Sequence, residues 1–137
     1  MKSSIKARNL QADAVGVSLN SGFLNFYSGD EPGSADIELA QGVTLLASLR
    51  FNEKAFKDAK NGTIVANGLV RDENAANTGT ATFFRALNKN AEPMFQGTIL
   101  AENASKAEKA KVDMVMDSTA IVQGGIVGVE SFEYTCL

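Results

Sequence analysis

The amino-acid sequence predicts a mainly β fold, an antiparallel β-sandwich of the jelly-roll or immunoglobulin-like type with a short N-terminal helix. Residues 43–51 alternate between apolar and polar side chains, as in a half-buried strand. Turn sequences such as Asn61-Gly62 separate stretches of this kind. Phe83 and Phe84 are neighbours in one predicted strand and must point to opposite faces of the sheet. Both faces therefore need a cover, as in a sandwich.

Length and charge limit the classes of protein to consider. The chain has 137 residues, which suits one domain, with an arm or helix in residues 1–20 and the sandwich in residues 21–137. A net charge of −3 does not indicate the basic surface of a nucleic-acid-binding protein, so we expect no such partner. No apolar run approaches the roughly 20 residues of a membrane span, and none follows the basic N-terminus. We therefore expect neither a membrane partner nor a secretory signal.

The N-terminal segment is predicted to be a helix from about Ile5 to Leu19. Leu10, Ala14 and Val17 fall at i, i+4 and i+7, as on one face of a helix. The end of the segment also alternates between apolar and polar residues, so a strand is the alternative. Gly22 closes an Asn-Ser-Gly sequence that suits a helix terminus or a hairpin turn, because glycine readily adopts positive φ.

Eight stretches are predicted to be strands, and most are bounded by glycine, asparagine or proline. Pro93 lacks a donor N–H and is placed at the start of the second arm of a hairpin. In the last stretch the apolar residues change face midway, which a β-bulge or packing on both faces would explain. The predicted strands are Phe23–Ser28, Val43–Asn52, Thr63–Asn67, Gly79–Leu87, Pro93–Ile99, Ala110–Met116, Thr119–Gln123 and Ile126–Cys136.

Three connecting segments are rich in polar residues. Residues 28–36 and 71–78 are predicted to be loops. The stretch Ala101–Lys109 suits a short helix and an exposed loop equally well. Ser105 and Glu108 have the spacing of a capping box, which is typical of a helix start.

The composition offers little catalytic chemistry. Histidine is absent, which removes Ser-His-Asp and Cys-His pairs and a common zinc ligand, so we expect no catalytic residues, metal or cofactor. Cys136 is interpreted as a small apolar residue ending a strand, with an intermolecular or reactive role as the alternative. Asp113 and Asp117 are interpreted as exposed charges of a half-buried strand. Because carboxylates alone can hydrolyse glycosides, a small hydrolase remains a third hypothesis.

An acidic segment and two tyrosines are candidate binding features. Residues 30–38 include four acidic side chains and no basic one: Asp30, Glu31, Asp36 and Glu38. Calcium prefers clustered oxygens, but this spacing matches no known ligand loop, so a solvated acidic turn is favoured. Tyr27 and Tyr134 would suit sugar stacking if exposed, but packing in the core is the favoured interpretation.

Arg85 is the charged residue with the most informative position. It shares a predicted strand face with Phe83 and Leu87. The favoured interpretation places it at the rim of the sheet, with its stem over apolar surface. In the other, its planar guanidinium group pairs with a carboxylate across a subunit contact.

Three segments together carry a family resemblance: NSGFLNFYSGDEPGSAD (20–36), GTATFFRALN (79–88) and TAIVQGGIVGVESFEYT (119–135). In order and spacing they are similar to a widespread group of small proteins of tailed bacteriophages and prophages, mostly uncharacterised or virion structural proteins. The resemblance covers nearly the whole chain. Between Leu100 and Lys111 the sequence departs from it with a longer stretch rich in lysine and glutamate. The resemblance implies a particle component and gives no catalytic residues to transfer.

The leading hypothesis is therefore a non-enzymatic structural subunit of a tailed-phage virion, made in the host bacterial cytoplasm. Within the particle we expect a capsid decoration or cement protein, or a neck or tail component, with the capsid preferred. Its expected partners are other copies of itself and the major capsid protein or neck and tail proteins. The alternative is a receptor- or glycan-binding β-sandwich displayed on a particle. Two-sided strands and an open strand edge at the C-terminus would supply the contacts. The predicted contact residues are Phe84, Arg85, Phe132, Tyr134, Cys136 and Leu137.

Overall fold

The computed structural model describes residues 2–99, 105–107 and 110–136. Within these ranges the chain forms one helix and ten strands. In chain order the elements are α1 (Ile5–Ser18), β1 (Phe23–Ser28), β2 (Thr44–Arg50), β3 (Thr63–Val65), β4 (Gly79–Thr80), β5 (Phe83–Leu87), β6 (Pro93–Ile99), β7 (Ser105–Ala107), β8 (Ala110–Met116), β9 (Ala120–Ile121) and β10 (Val129–Cys136).

Eight strands form one antiparallel sheet in the order β2-β1-β5-β6-β7-β8-β10-β3, and β4 pairs with β9 in a separate ribbon. The chain beyond β3 reaches the free edge of β2. Arg50, at the end of β2, and Val70, beyond β3, exchange both backbone hydrogen bonds, with N···O distances of 3.1 and 2.9 Å. The mainly β prediction is confirmed, and eight of the ten described strands lie in one antiparallel sheet.

The core inside this sheet is centred on Phe132. Its ring contacts those of Phe51, Phe56, Phe84 and Phe95, with centroid distances between 5.9 and 6.4 Å. Phe84 lies in β5 and Phe132 in β10, which are four places apart in the strand order. The inner faces of distant strands therefore meet across one aromatic core.

The N-terminal helix prediction is confirmed, but the helix buries a different face from the one expected. The predicted apolar residues Leu10, Ala14 and Val17 are exposed to solvent, whereas Ala12 and Gly16 are buried. Small residues allow the helix to lie close to the sheet. A Cβ atom at Gly16 would lie 3.1 Å from Ile64 Cδ1 and 3.4 Å from Phe56 Cβ.

Polar side chains also attach α1 and its C-terminal flank to the chain that precedes β3. The side-chain oxygens of Asn9, Asp13 and Asn20 accept hydrogen bonds from the backbone N–H groups of Gly62, Ala59 and Ala55, at 2.7, 2.9 and 2.8 Å. At the start of the helix, the Ser4 hydroxyl accepts a hydrogen bond from the Ala7 N–H at 3.1 Å. A helix without a strong apolar stripe is thus held by capping and side-chain-to-backbone bonds.

The turn after α1 uses its glycine for close approach rather than for positive φ. The positive φ of 57° belongs to Ser21. A Cβ atom at Gly22 would lie 2.1 Å from the carbonyl oxygen of Leu87, so only glycine fits beside β5. The prediction that Gly22 supplies positive φ is therefore wrong, although the turn itself is in the expected place.

Two register shifts explain why both faces of β2 and β10 carry apolar residues. Phe26 pairs with Ala47 and Tyr27 with Leu45, so Leu46 is an additional residue in β2. Leu46 is buried while Leu45 is exposed, because the shift changes which residues point inward. A second shift at the start of β10 leaves Glu130 without a pair in β8, which agrees with the bulge, one of the two explanations offered for the last strand.

Two predictions near the C-terminal half need correction. Ser105–Ala107 forms β7 and pairs with β6, so the predicted short helix is wrong there. Backbone pairing in the sheet outweighs the local capping pattern at these residues. The rest of the predicted helix, residues 101–104 and 108–109, lies outside the described residues. The open C-terminal edge is also wrong, because β10 lies between β8 and β3.

Candidate interaction surfaces

Phe84 and Phe132, two of the predicted contact residues, lie in the core. Both side chains are 0% exposed, and their rings meet edge to face with centroids 6.1 Å apart. Their packing partners come from this same chain. The prediction that they contact another subunit is corrected, because no part of either ring reaches the surface.

Arg85 is bonded to a loop of its own chain. It is 4% exposed, so its place is neither at a rim nor in a subunit contact. Its Nε atom donates to Gln96 Oε1 at 3.1 Å, and Nη2 donates to the backbone carbonyls of Ser34 at 3.2 Å and of Ile37. These carbonyls belong to residues 29–42, here called the acidic loop. The guanidinium group therefore holds this loop against the outer face of the sheet.

The same attachment continues along β6. Gln96 Nε2 donates to Glu31 Oε2 at 3.1 Å and to the Pro32 carbonyl, and the Thr98 hydroxyl donates to Glu31 Oε1. Beside these bonds on the outer face, the ring of Phe83 stacks on Tyr27 with centroids 5.0 Å apart. Phe83 is fully buried. Phe83, the second phenylalanine, is therefore covered on the outer face of the sheet, which also carries the acidic loop. Its cover is not a second large sheet, because the other sheet in the described residues has two strands.

The acidic loop presents a tip of alternating acidic and apolar side chains. Asp36 and Glu38 are exposed, and Ile37 and Leu39 are 52% and 39% exposed. Glu31 faces the sheet instead, through its bonds to β6. Within residues 2–99, 105–107 and 110–136, no three acidic or cysteine side chains lie close enough together to hold a metal ion.

Two of the remaining predicted contact residues, Tyr134 and Cys136, lie near α1. Tyr134 is half-buried, with its ring 5.1 Å from that of Phe95, and Cys136 Sγ donates to Gln11 Oε1 at 2.8 Å. Burial raises the pKa of Tyr134, and the neighbouring Cys136 raises it further. Leu137 lies outside the described residues. An open groove of about 290 Å³ beside these residues is lined by Ala14, Val15, Ser18, Met94, Phe95 and Tyr134.

Neither tyrosine offers a flat exposed platform for a sugar ring. Tyr27 is buried in its stack with Phe83, and Tyr134 leans on Phe95. Both positions agree with the packing role favoured from the sequence.

The helix found in the described part of the chain is too short and too polar to cross a membrane.

A basic surface that the sequence interpretation missed lies beside β3. This lysine groove, of about 550 Å³, is lined by Lys54, Lys57, Asp58, Lys60, Thr63, Val65 and Asn67. The signal in the sequence is the spacing of the lysines, which recur every third residue before the Asn61-Gly62 turn. An overall acidic composition concealed it, because net charge does not report local clusters.

Comparisons of the chain with protein-family models, with curated proteins and with solved structures found no match.

Proposed function

We propose that this chain is a non-enzymatic structural subunit of a tailed-phage particle, located in the virion. A capsid decoration or cement protein is the preferred role, and a neck or tail component is the other. The observation that carries the proposal is the acidic loop, which buried Arg85 fixes to the sheet while its tip stays exposed. A surface segment held in one conformation loses little conformational entropy when it binds another protein.

The arrangement of the three resembling segments gives further support. Residues 20–36 contain β1 and the start of the acidic loop, residues 79–88 contain β4 and β5, and residues 119–135 contain β9 and most of β10. β1 pairs with β5, and β4 pairs with β9. Segments far apart in the sequence are therefore direct neighbours, as expected if the shared pattern describes one folded unit.

We further propose that the eight-stranded sheet folds over into a two-layer sandwich. One layer would comprise β2, β1 and β5, and the other β8, β10 and β3. The contact between Phe84 and Phe132 across the core supports this subdivision. Such a unit offers two broad outer surfaces, which suits a subunit that contacts neighbours on more than one side.

Particle composition tests the proposed role. Particles purified by density gradient from an induced culture of the source strain would be analysed by peptide mass spectrometry. We expect peptides of this chain to band with the capsid proteins at a constant ratio across fractions. A chain that stays in the soluble fraction, away from every particle protein, would contradict the proposal.

A further inference from the structure

We propose that the exposed tip of the acidic loop in one copy docks into the lysine groove of the next copy. The tip comprises residues 36–39, and the groove lies beside β3. The inference rests on the proposed function, because it names the contact through which a structural subunit would associate with itself. Two surfaces of opposite charge on the same chain carry the argument.

The lysine groove is the receiving surface. Lys54, Lys57 and Lys60 are all exposed and line one groove, and among the described residues that line it Asp58 is the only acidic one. Asp58 is paired with Lys54, with an Nζ···Oδ1 distance of 3.3 Å. Lys57 and Lys60 form no ion pair with any residue in the described ranges, so two positive charges remain for a partner. A groove of this kind suits an acidic segment.

The tip of the acidic loop matches the lysine groove in apolar side chains as well as in charge. Asp36 and Glu38 alternate with the exposed side chains of Ile37 and Leu39. Val65, which is partly exposed, gives the groove an apolar lining residue. An acidic segment with apolar residues between its charges can therefore contact both kinds of lining residue.

Arg85 acts as a positioning residue for this contact. Its guanidinium group binds the carbonyl of Ile37, within the tip, and that of Ser34 just before it. The backbone of the tip is thus fixed before any partner arrives. Fixing it in advance lowers the entropic cost of association.

The positions of the two surfaces make the contact head-to-tail. The acidic loop is bonded to β5 and β6, whereas the groove borders β3, and β7, β8 and β10 lie between them in the sheet order. The two surfaces share no residue. A contact between different surfaces builds a closed ring when the rotation between copies closes, and a filament or tube when it does not.

The test uses charge reversal on each surface. One variant carries Lys57→Glu and Lys60→Glu, and another carries Asp36→Lys and Glu38→Lys. Light scattering of the full chain is expected to show wild-type assemblies whose mass falls as salt is raised, because ions screen exposed charges beyond about 10 Å at 0.1 M. Each variant alone is expected to be monomeric. An equimolar mixture of the two is expected to assemble, because the reversed loop then meets the reversed groove.

The matched control reverses two lysines elsewhere, with Lys6→Glu and Lys89→Glu. It has the same net charge as the groove variant, and both lysines are exposed. We expect it to assemble like the wild type. Circular dichroism of all variants checks that the fold is kept, and a variant that loses its β signal is replaced by the corresponding alanine pair.

Several outcomes would overturn the docking contact. These are wild-type monomers at every concentration in low salt, variants that assemble like the wild type, and a mixture that fails to assemble. Failure of this contact is distinct from failure of the proposed function. If the chain bands with particles but charge reversal does not change its assembly, the docking contact is wrong and the proposed function is kept. If the mixture assembles but the chain is absent from particles, the proposed function is wrong and the docking contact is kept.

Discussion

At the scale of single residues, three neighbours in β5 point to both faces of the sheet: Phe83, Phe84 and Arg85. Phe84 points into the aromatic core, while Phe83 and Arg85 point to the outer face that carries the acidic loop. Arg85 is buried, and its guanidinium group donates hydrogen bonds to two backbone carbonyls and to the amide oxygen of Gln96. A buried charge is tolerated when hydrogen bonds satisfy it. Here those bonds also fix the position of a surface segment.

Phe84→Ala is expected to lower the free energy of unfolding by about 3–5 kcal/mol, because it leaves a cavity in the aromatic core. Urea denaturation followed by circular dichroism measures the change. Met94→Ala, at an exposed position of β6, is the control and is expected to cost less than about 1 kcal/mol. A small cost at Phe84 combined with lost self-association would instead support the contact role predicted from the sequence.

The phenol of Tyr134 makes stability depend on alkaline pH. Burial raises its pKa above the ordinary value of 10.0, so the folded state holds the proton more firmly than the unfolded state. The stability that the protonated phenol contributes is fully present below pH 10 and is lost as pH rises above that value. The wild type is therefore expected to lose stability more steeply above pH 10 than Tyr134→Phe, as measured by urea midpoints. Parallel slopes for the two proteins would argue against it.

Residue patterns in the sequence identified which side chains lie on strands but not what covers them. Phe84 and Phe132 were correctly placed on strands, yet the cover proved to be this chain and not a partner. Arg85 donates hydrogen bonds to carbonyls 48 and 51 residues away in the sequence. A strand pattern reports only on neighbouring residues, so it could not predict that Arg85 is buried.

At the scale of elements, position was predictable and orientation was less so. β1, β6 and β8 have the predicted bounds, because alternation and flanking turn residues fix short strands well. In α1 the period was right and the buried face was wrong. Leu10 and Val17 are exposed because the attachment uses small residues and the hydrogen bonds that Asn9 and Asp13 accept. Apolar periodicity cannot register attachments made by polar side chains.

Gly16→Leu is expected to lower the free energy of unfolding by about 1–3 kcal/mol, because a larger side chain forces α1 away from Ile64 and Phe56. Ala14→Leu is the matched control, since Ala14 is an exposed residue of the same helix. We expect that control to change stability by less than about 0.5 kcal/mol. Thermal or urea unfolding of both variants measures the difference. Equal costs at the two positions would mean that α1 does not pack through Gly16.

At the scale of the whole molecule, the bonded edge of β2 limits which surfaces remain available. The outer edge of β2 is bonded along its length, by the Asp72 carboxylate to the Ser48 N–H, by Ala76 to the Leu46 carbonyl, and by Val70 to Arg50. A covered edge opposes uncontrolled strand pairing between copies. In the proposed self-association, the contacts are therefore made by side-chain surfaces such as the acidic loop. The sequence interpretation did not predict this bonding, because its partners are distant in the chain and form no local pattern.

Val70→Pro tests the bonding of this edge, because proline removes the N–H that donates to the Arg50 carbonyl. We expect a loss of about 1–3 kcal/mol in the free energy of unfolding and faster hydrogen exchange at the end of β2. The Val70 side chain is 55% exposed, so Val70→Ala keeps the bond and serves as the control. Unchanged exchange at Arg50 in the proline variant would show that this bridge does not protect the end of β2.

The pairing of β3 with β10 also sets the order in which the chain can fold. The hydroxyl oxygens of Thr63 and Thr135 are 2.8 Å apart across 72 residues of sequence. During synthesis, β3 therefore waits without its strand partner until β10 has left the ribosome. Pairings over such separations slow folding into the range of milliseconds to seconds. Because β10 lies between β8 and β3, the sheet is completed only after β10 has been translated.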